Sequence, residues 1–515
     1  MKNIFIIGCL LLTLNACDSF LEEYSQDLAR VETITDLDEL LLGSAYYQPA
    51  YYYLSMSTLY LAGEPFFPFI HFMSDELKQN EITKGGDAGS MEKYFGYFTW
   101  QRQVGINPEG TRVGIENTDW KKAYQHINAA NMILDELNEV KINNKKEEEM
   151  KNRIKGEAHF LRALYYFTLV NLYAAPYEPS KAESTVGIPL KLTSYVEDKE
   201  YENSSVARVY EQILQDLEDA IDCLSKTSRK SVYRADLTAA YLLTARVYLY
   251  MQDYPNAREY AQLVLDRNNA LTDLNTFSGE DNVFTSENPE IIFSMGGHYL
   301  TLDMYGRDRY EDECSYYISN DLIEAFSDEN DLRGTKYIQE GESGYSYKKI
   351  YWGRAHYGSA CSVSDNFLFR TSEAYLILAE ACAFDEDEGT ARQKIGQLQA
   401  KRFHTPPTVN ESGNALIDLI RQERQRELCL EGHRWFDLRR YTVCEKYPWS
   451  KTIRHTYIDY DTQYPYPIER TRVFELEPFD KAYTLAFPRE VLDFQNTLNT
   501  NDRPERTPVS DSNNQ

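Results

Sequence analysis

The sequence predicts a mainly helical protein whose antiparallel helix pairs stack on one another, with irregular, loop-rich stretches draped over the stack. Three observations carry that expectation. Apolar residues recur at helical spacing through several long windows. Two of those windows repeat one another without a gap. The stretches between and after them lose the pattern, yet no Gly/Ser linker or charge block marks a boundary. A single interleaved domain is the expected organisation.

The first helix is expected after Thr35, because Thr35-Asp36-Leu37-Asp38 reads as a capping box with Asp38 replacing the usual Glu or Gln. Leu37, Leu40, Leu41, Ser44 and Ala45 then follow the helical stripe, and helical scaffold is expected over about 35–60. Residues 61–116 read as loop-rich. Within them Tyr94-Phe95-Gly96-Tyr97-Phe98-Thr99-Trp100 holds five aromatics in seven residues, best read as core or strand packing. Scaffold resumes over about 117–265. A helix from about Thr118 to Val140 puts Trp120, Ala123, Tyr124, Ile127, Leu134 and Leu137 on one face. Another runs from about Lys146 to Ala174 and stops before Pro176. A third opens at Ser204-Ser205, with Val206, Val209, Tyr210, Ile213, Leu217, Ile221 and Leu224 near ideal spacing.

The repeat comes next. Tyr241, Ala245, Tyr248, Ala257 and Ala261 align with Tyr375, Ala379, Cys382, Ala391 and Ile395, at the spacing of a tetratricopeptide unit. A small residue in the first helix lets the second pack close, and Pro255 opens that second helix where its missing N–H costs nothing. Residues 266–370 read as loop-rich, with an apolar stretch at Glu290–Phe293, a short helix near Ser319–Phe326 and a hairpin around Tyr345–Trp352. Scaffold is expected again over about 371–440. The last stretch, 441–515, reads as irregular with short strand-like runs.

Composition narrows the function. The net charge of −27 repels phosphate backbones and argues against nucleic-acid binding. Tyrosines outnumber phenylalanines 41 to 23, so many aromatic faces carry a polar handle. At the N-terminus Lys2 precedes an apolar run from Ile4 to Leu14, too short to span a bilayer and suited to a secretory signal. Leu14-Asn15-Ala16-Cys17 resembles the lipobox of bacterial lipoproteins. That implies a signal peptide over 1–16, a mature domain over 17–515 and a lipid on Cys17. Cys314–Cys361 or Cys429–Cys444 could form disulfides, whereas Cys223 and Cys382 read as small buried apolar residues.

No nucleotide loop, nucleophile elbow or zinc-protease helix is present, and no histidine has a partner at metal-ligand spacing. No cofactor, metal or catalytic residue is expected. Glu423, Glu427 and Glu431 recur every four residues among Arg421, Arg424, Arg426, Arg434, Arg439 and Arg440. Carboxylate-pair hydrolysis is one reading of them. So many arginines hold carboxylates ionised, so an ion-pair network is the better one. The acidic run Asp385–Glu388 reads as a solvated tip between two helices.

Several motifs together resemble a known family. Gly156-Glu157-Ala158-His159-Phe160-Leu161-Arg162-Ala163-Leu164-Tyr165-Tyr166-Phe167, Asn288-Pro289-Glu290-Ile291-Ile292-Phe293-Ser294 and Phe369–Ala381 are similar to signatures of the RagB/SusD outer-membrane nutrient-binding lipoproteins. So are the Glu423–Leu438 stretch and Phe487-Pro488-Arg489-Glu490-Val491, the last matching a closing strand, all in family order. The resemblance implies a tetratricopeptide-like frame carrying a loop-rich ligand region, on the outer membrane and facing the exterior. It implies a SusC-like TonB-dependent barrel as partner. The ligand it implies is an oligosaccharide or polysaccharide, or in some branches a peptide. A glycoside hydrolase on a helical frame is the remaining alternative. By location alone, ligand contacts would fall at Asp75, Tyr97 and Trp100, then at Tyr299, Tyr305 and Tyr310.

Overall fold

The computed structural model describes residues 31–513 apart from 56–57, 82–87, 114–115, 117, 279–282, 298–299, 301–303, 305–313, 342–343, 351–362, 367 and 462–466; for 51–62 and 88–90 it describes the backbone alone. Helix α1 (Ile34–Leu40) begins at a capping box made by Thr33 and Asp36, two residues before the expected one. Thr33 Oγ1 accepts the Asp36 N–H at 3.3 Å, and Asp36 accepts the Thr33 N–H at 2.8 Å. Asp38 is not available for capping, because it pairs with Arg153 at 3.2 Å and Arg234 at 2.5 Å.

The expected helix to residue 60 ends early. A wide helical turn closes at Ala45, and β1 (Tyr51–Ser55) pairs antiparallel with β2 (Thr58–Ala62). Pro49 breaks the helix, and the tyrosine-rich run after it suits a strand. The aromatic run instead turns out helical. After the short α2 (Ile70–Met73), β3 (Leu77–Gln79) leads to α3 (Ala88–Phe98). Tyr94 stacks on Phe72 with ring centres 4.0 Å apart, and Tyr97 on Phe69 at 4.2 Å.

The frame follows: α4 (Thr118–Glu136), α5 (Lys145–Tyr173), α6 (Val206–Leu224), α7 (Leu237–Tyr250) and α8 (Tyr254–Arg267), each lying against the next. Their starts are set by side-chain caps. Asn144 accepts the N–H groups of Lys146 and Glu147, and Ser205, Asp236 and Asp253 do the same for their helices. Every residue of α5 from Gly156 to Tyr173 is buried, so this helix runs through the middle of the core.

An excursion then carries β4 (Ile291–Phe293), β5 (Tyr316–Ile318), α9 (Asn320–Ala325), α10 (Arg333–Lys336), β6 (Ile338–Glu340) and β7 (Tyr345–Tyr347). The β6–β7 hairpin lies a few residues earlier than expected. The chain returns through β8 (Phe369–Arg370), paired with β4, into α11 (Thr371–Phe384), α12 (Glu388–Gln399), α13 (Gly413–Glu427) and α14 (Arg434–Thr442). The two repeat units are α7–α8 and α11–α12. Helix α11 packs directly on α8, so they stack as neighbours. Ala245, Ala257, Ala379 and Ala391 are all fully buried at those contacts.

The C-terminal stretch is more regular than expected. Strands β9 (Ile453–Tyr460), β10 (Ile468–Leu476) and β11 (Ser510–Asn513) make a three-stranded antiparallel sheet. The segment expected as a closing strand is helix α15 (Arg489–Phe494), opened by Pro488. Cys429 and Cys444 are separate buried thiols, not a disulfide; Cys361 and Cys17 lie outside the described residues. No described helix is long and apolar enough to cross a membrane.

Candidate functional site

Three of the expected ligand contacts are interior. Asp75 receives Arg434 at 2.7 and 2.8 Å and Lys451 at 2.8 Å. Burial would push its carboxyl up, but those cations hold it well below the usual carboxylate range. Trp100 is 0% exposed. Its Nε1 donates to the Met73 carbonyl at 2.9 Å, and its indole stacks on His455 with ring centres 4.4 Å apart. Tyr97 is covered by Phe69. A ring that stacks on a ligand needs an open face, and neither Tyr97 nor Trp100 has one. Together they lock α2 and α3 to the C-terminal sheet. Tyr299, Tyr305 and Tyr310 lie outside the described residues.

The glutamate cluster is a saturated ion-pair network. Glu427 accepts from Arg370 at 2.8 Å, from Arg402 at 2.8 and 2.9 Å and from Arg333 at 3.2 Å. Glu423 accepts from Arg333 at 2.7 Å and Arg426 at 2.6 Å. Glu431 lies beyond the end of α13, after Leu430 in left-handed backbone, yet still reaches Arg370 at 2.8 Å and Lys349. Glu290 joins through Arg370 at 3.0 Å and Arg402 at 2.8 Å. Burial alone would raise Glu423, but Arg333 and Arg426 bring it down to about 2. A general acid must hold its proton near neutral pH, and the arginines around Glu423 and Glu427 favour the ionised form of both. Local spacing found the glutamates; it missed Glu290, Arg333, Lys349, Arg370 and Arg402, which arrive from other elements.

His159, Asp216 and Asp219 are the described residues whose donor atoms come close enough together for a cation. Arg162 already spans both oxygens of Asp216, at 2.9 and 2.5 Å, so a guanidinium supplies the positive charge there.

A cleft opens on the irregular side of the frame. Tyr47, Gln48, Glu64 and Phe66 form one wall, Phe293 to Gly297 a second, and Ser364, Asp365 and Asn366 a third. Gly296 and Gly297 have φ of +73° and +86°, and a Cβ on Gly297 would stand 2.7 Å from the Ala50 nitrogen. Glycine there lets the turn after β4 lie against Pro49 and Ala50. Asn366 donates to the Phe66 and Phe67 carbonyls, at 2.5 and 3.2 Å, and among the described residues its Oδ1 has no hydrogen-bond partner. The Tyr47 hydroxyl likewise has none among them. A hydrogen bond from His126 leads in holding Glu64 below its ordinary range, against its partial burial. The enclosed volume is about 30 Å³, room for a water and not a sugar. Both loop walls run on into 298–299 and 351–362.

A second, roomier groove of about 350 Å³ lies between α4, the 189–201 connection and α15. Trp120, Tyr124, Tyr201 and Phe494 line it, and Phe494 is 82% exposed. Tyr201 N–H donates to Gln495 Oε1 at 3.2 Å, and its hydroxyl donates to Glu197 at 2.7 Å. Sequence reasoning missed this groove, because its walls come from distant parts of the chain.

A family model described as starch-binding and associating with the outer membrane matches residues 72–249. The model of the SusD family matches residues 297–503. SusD-like protein P2 of Formosa agariphila is 26% identical, over 85% of this chain and 90% of that protein. Among solved structures, a putative sugar binding protein from Bacteroides vulgatus superposes with a TM-score of 0.67 at 20% identity, covering 92% of this chain and 99% of that one. A SusD superfamily protein from Bacteroides thetaiotaomicron gives 0.66 at 19%, covering 92% and 100%. The motif order, the stacked helix pairs and the two family models agree: the chain belongs to the SusD/RagB family.

Proposed function

We propose that this protein is a lipoprotein, acylated at Cys17, that captures a nutrient glycan outside the cell and delivers it to a TonB-dependent outer-membrane barrel without catalysing a reaction. The observation that carries the reading is the match over residues 72–249 to a family described as starch-binding and associating with the outer membrane. The ion pairs on Glu427 support a passive frame, since they commit the carboxylate at the centre of that cluster to three arginines. The ligand is proposed to rest over the floor of Tyr47, Glu64, Gly297 and Asn366, with Tyr299, Tyr305 and Tyr310 as stacking rings.

Affinity gels cast with a panel of plant and host polysaccharides test the proposal directly. At least one polysaccharide should retard the mature protein while no reducing ends appear. Reducing ends released by the purified protein would establish a hydrolase instead. Retardation by no glycan, together with binding of oligopeptides, would move the ligand to the peptide class. The barrel should co-purify with the lipoprotein from gently solubilised outer membranes.

A further inference from the structure

Arg439 in α14 is 2% exposed, and among the described residues no carboxylate pairs with it. Its Nη2 donates to the Ala174 carbonyl and, at 3.1 Å, to Thr484 Oγ1, while its Nε has no partner. The next residue shows the usual arrangement: Arg440 is held by Glu380 at 2.5 and 2.8 Å and by Asp437 at 2.8 Å. Ala174 ends α5, so the helix terminus answers part of the Arg439 charge. The remainder is uncompensated, and a buried guanidinium without a counter-ion is costly.

Arg439 lines a cleft of about 340 Å³ together with Pro176, Phe479, Lys481 and Tyr483. The carboxylates at its edge are each engaged. Asp480 takes Arg506 at 2.7 Å, Asp502 takes Lys481 at 3.2 Å and Glu178 takes Lys181 at 2.6 Å. Phe479 is 70% exposed on a backbone of φ +63°, a conformation that non-glycine residues seldom hold. An aromatic face kept in water at strained backbone suits a stacking partner, and a cleft-lining guanidinium without a counter-ion suits a planar carboxylate.

We propose that this cleft binds a uronic acid residue of a glycan, Arg439 taking the carboxylate and Phe479 covering the C–H face of the ring. The assignment rests on the glycan-binding reading only in making the carboxylate a sugar's. It concerns a site separate from the floor at Tyr47 and Asn366.

The test is titration of the full mature chain with trigalacturonate, maltotriose and N-acetylphenylalanine. Trigalacturonate should bind and maltotriose should not. Arg439→Gln should weaken trigalacturonate about tenfold or more, as loss of a charged anchor does. Phe479→Gly suits the left-handed backbone, so it should keep the melting temperature and still weaken binding about fivefold. It keeps the proposal testable even if Arg439→Gln fails to fold. Both folded variants should be retarded by neutral polysaccharide gels as the parent is. Absent trigalacturonate binding, affinity unchanged in both variants, or N-acetylphenylalanine binding as tightly as the uronate would overturn the assignment. A parent retarded by no neutral polysaccharide while trigalacturonate still binds would strike the proposed neutral-glycan site over the Tyr47 floor and leave this cleft standing.

Discussion

The indole of Trp100 is held by the Met73 carbonyl, by the His455 ring and by a backbone of φ +52°. Trp100→Ala should therefore cost about 3–5 kcal/mol of stability, read from a urea midpoint, with ligand affinity of the folded fraction unchanged. Lost affinity at normal stability would return the residue to the binding site. Glu427→Gln leaves Arg370, Arg402 and Arg333 short of charge in a dry interior and should cost about 3–5 kcal/mol; a shift under 1 kcal/mol would show that the network is not a stabilising unit. Two buried glutamates respond oppositely to pH. Glu423, lowered to about 2, adds stability that is present above its ordinary value of 4.5 and lost as pH falls through about 2. Glu76, raised to about 8 mainly by burial and further by Asp75, gives stability present below 4.5 and lost as pH rises through about 8. Glu76→Gln should hence gain stability relative to the parent between pH 5 and pH 8; an equal difference at both would remove Glu76 as a titrating group.

At the scale of elements, the crossing of α5 and α6 depends on a missing side chain. A Cβ on Gly156 would meet Leu224 Cγ at 2.6 Å and Cys223 Cβ at 3.1 Å. An exposed helical glycine gains about 1 kcal/mol on becoming alanine, whereas Gly156→Ala should lose about 1–3 kcal/mol by overpacking. A rise in melting temperature would show that the two helices can part without cost. Helices such as α6 were legible because the burial stripe of Val209, Ile213 and Leu217 is written along the chain at 3.6-residue spacing. The β1–β2 pair and helix α3 were not. Tyrosine-rich and phenylalanine-rich runs fit either state, and for α3 the choice is made by partners on another element, Phe69 and Phe72.

At the scale of the molecule, one hydrophobic cluster runs from Ile34 to Leu498, so frame and irregular segments share a core. The proposed anchor is separable from it. Cys17→Ala should move the protein from the membrane fraction to the soluble one without changing its melting temperature, as fractionation would read. Retention on the membrane would mean that a second attachment exists. The sequence by itself determined the helical frame, the stacked repeats and the family, because helical periodicity, capping and close-packing alanines are local and survive in one dimension. Only the tertiary structure decided which charged and aromatic groups are spent on holding the frame. Asp75 and Arg434 meet across 359 residues of chain. Burial and pairing are properties of such meetings, and no window of sequence contains both partners.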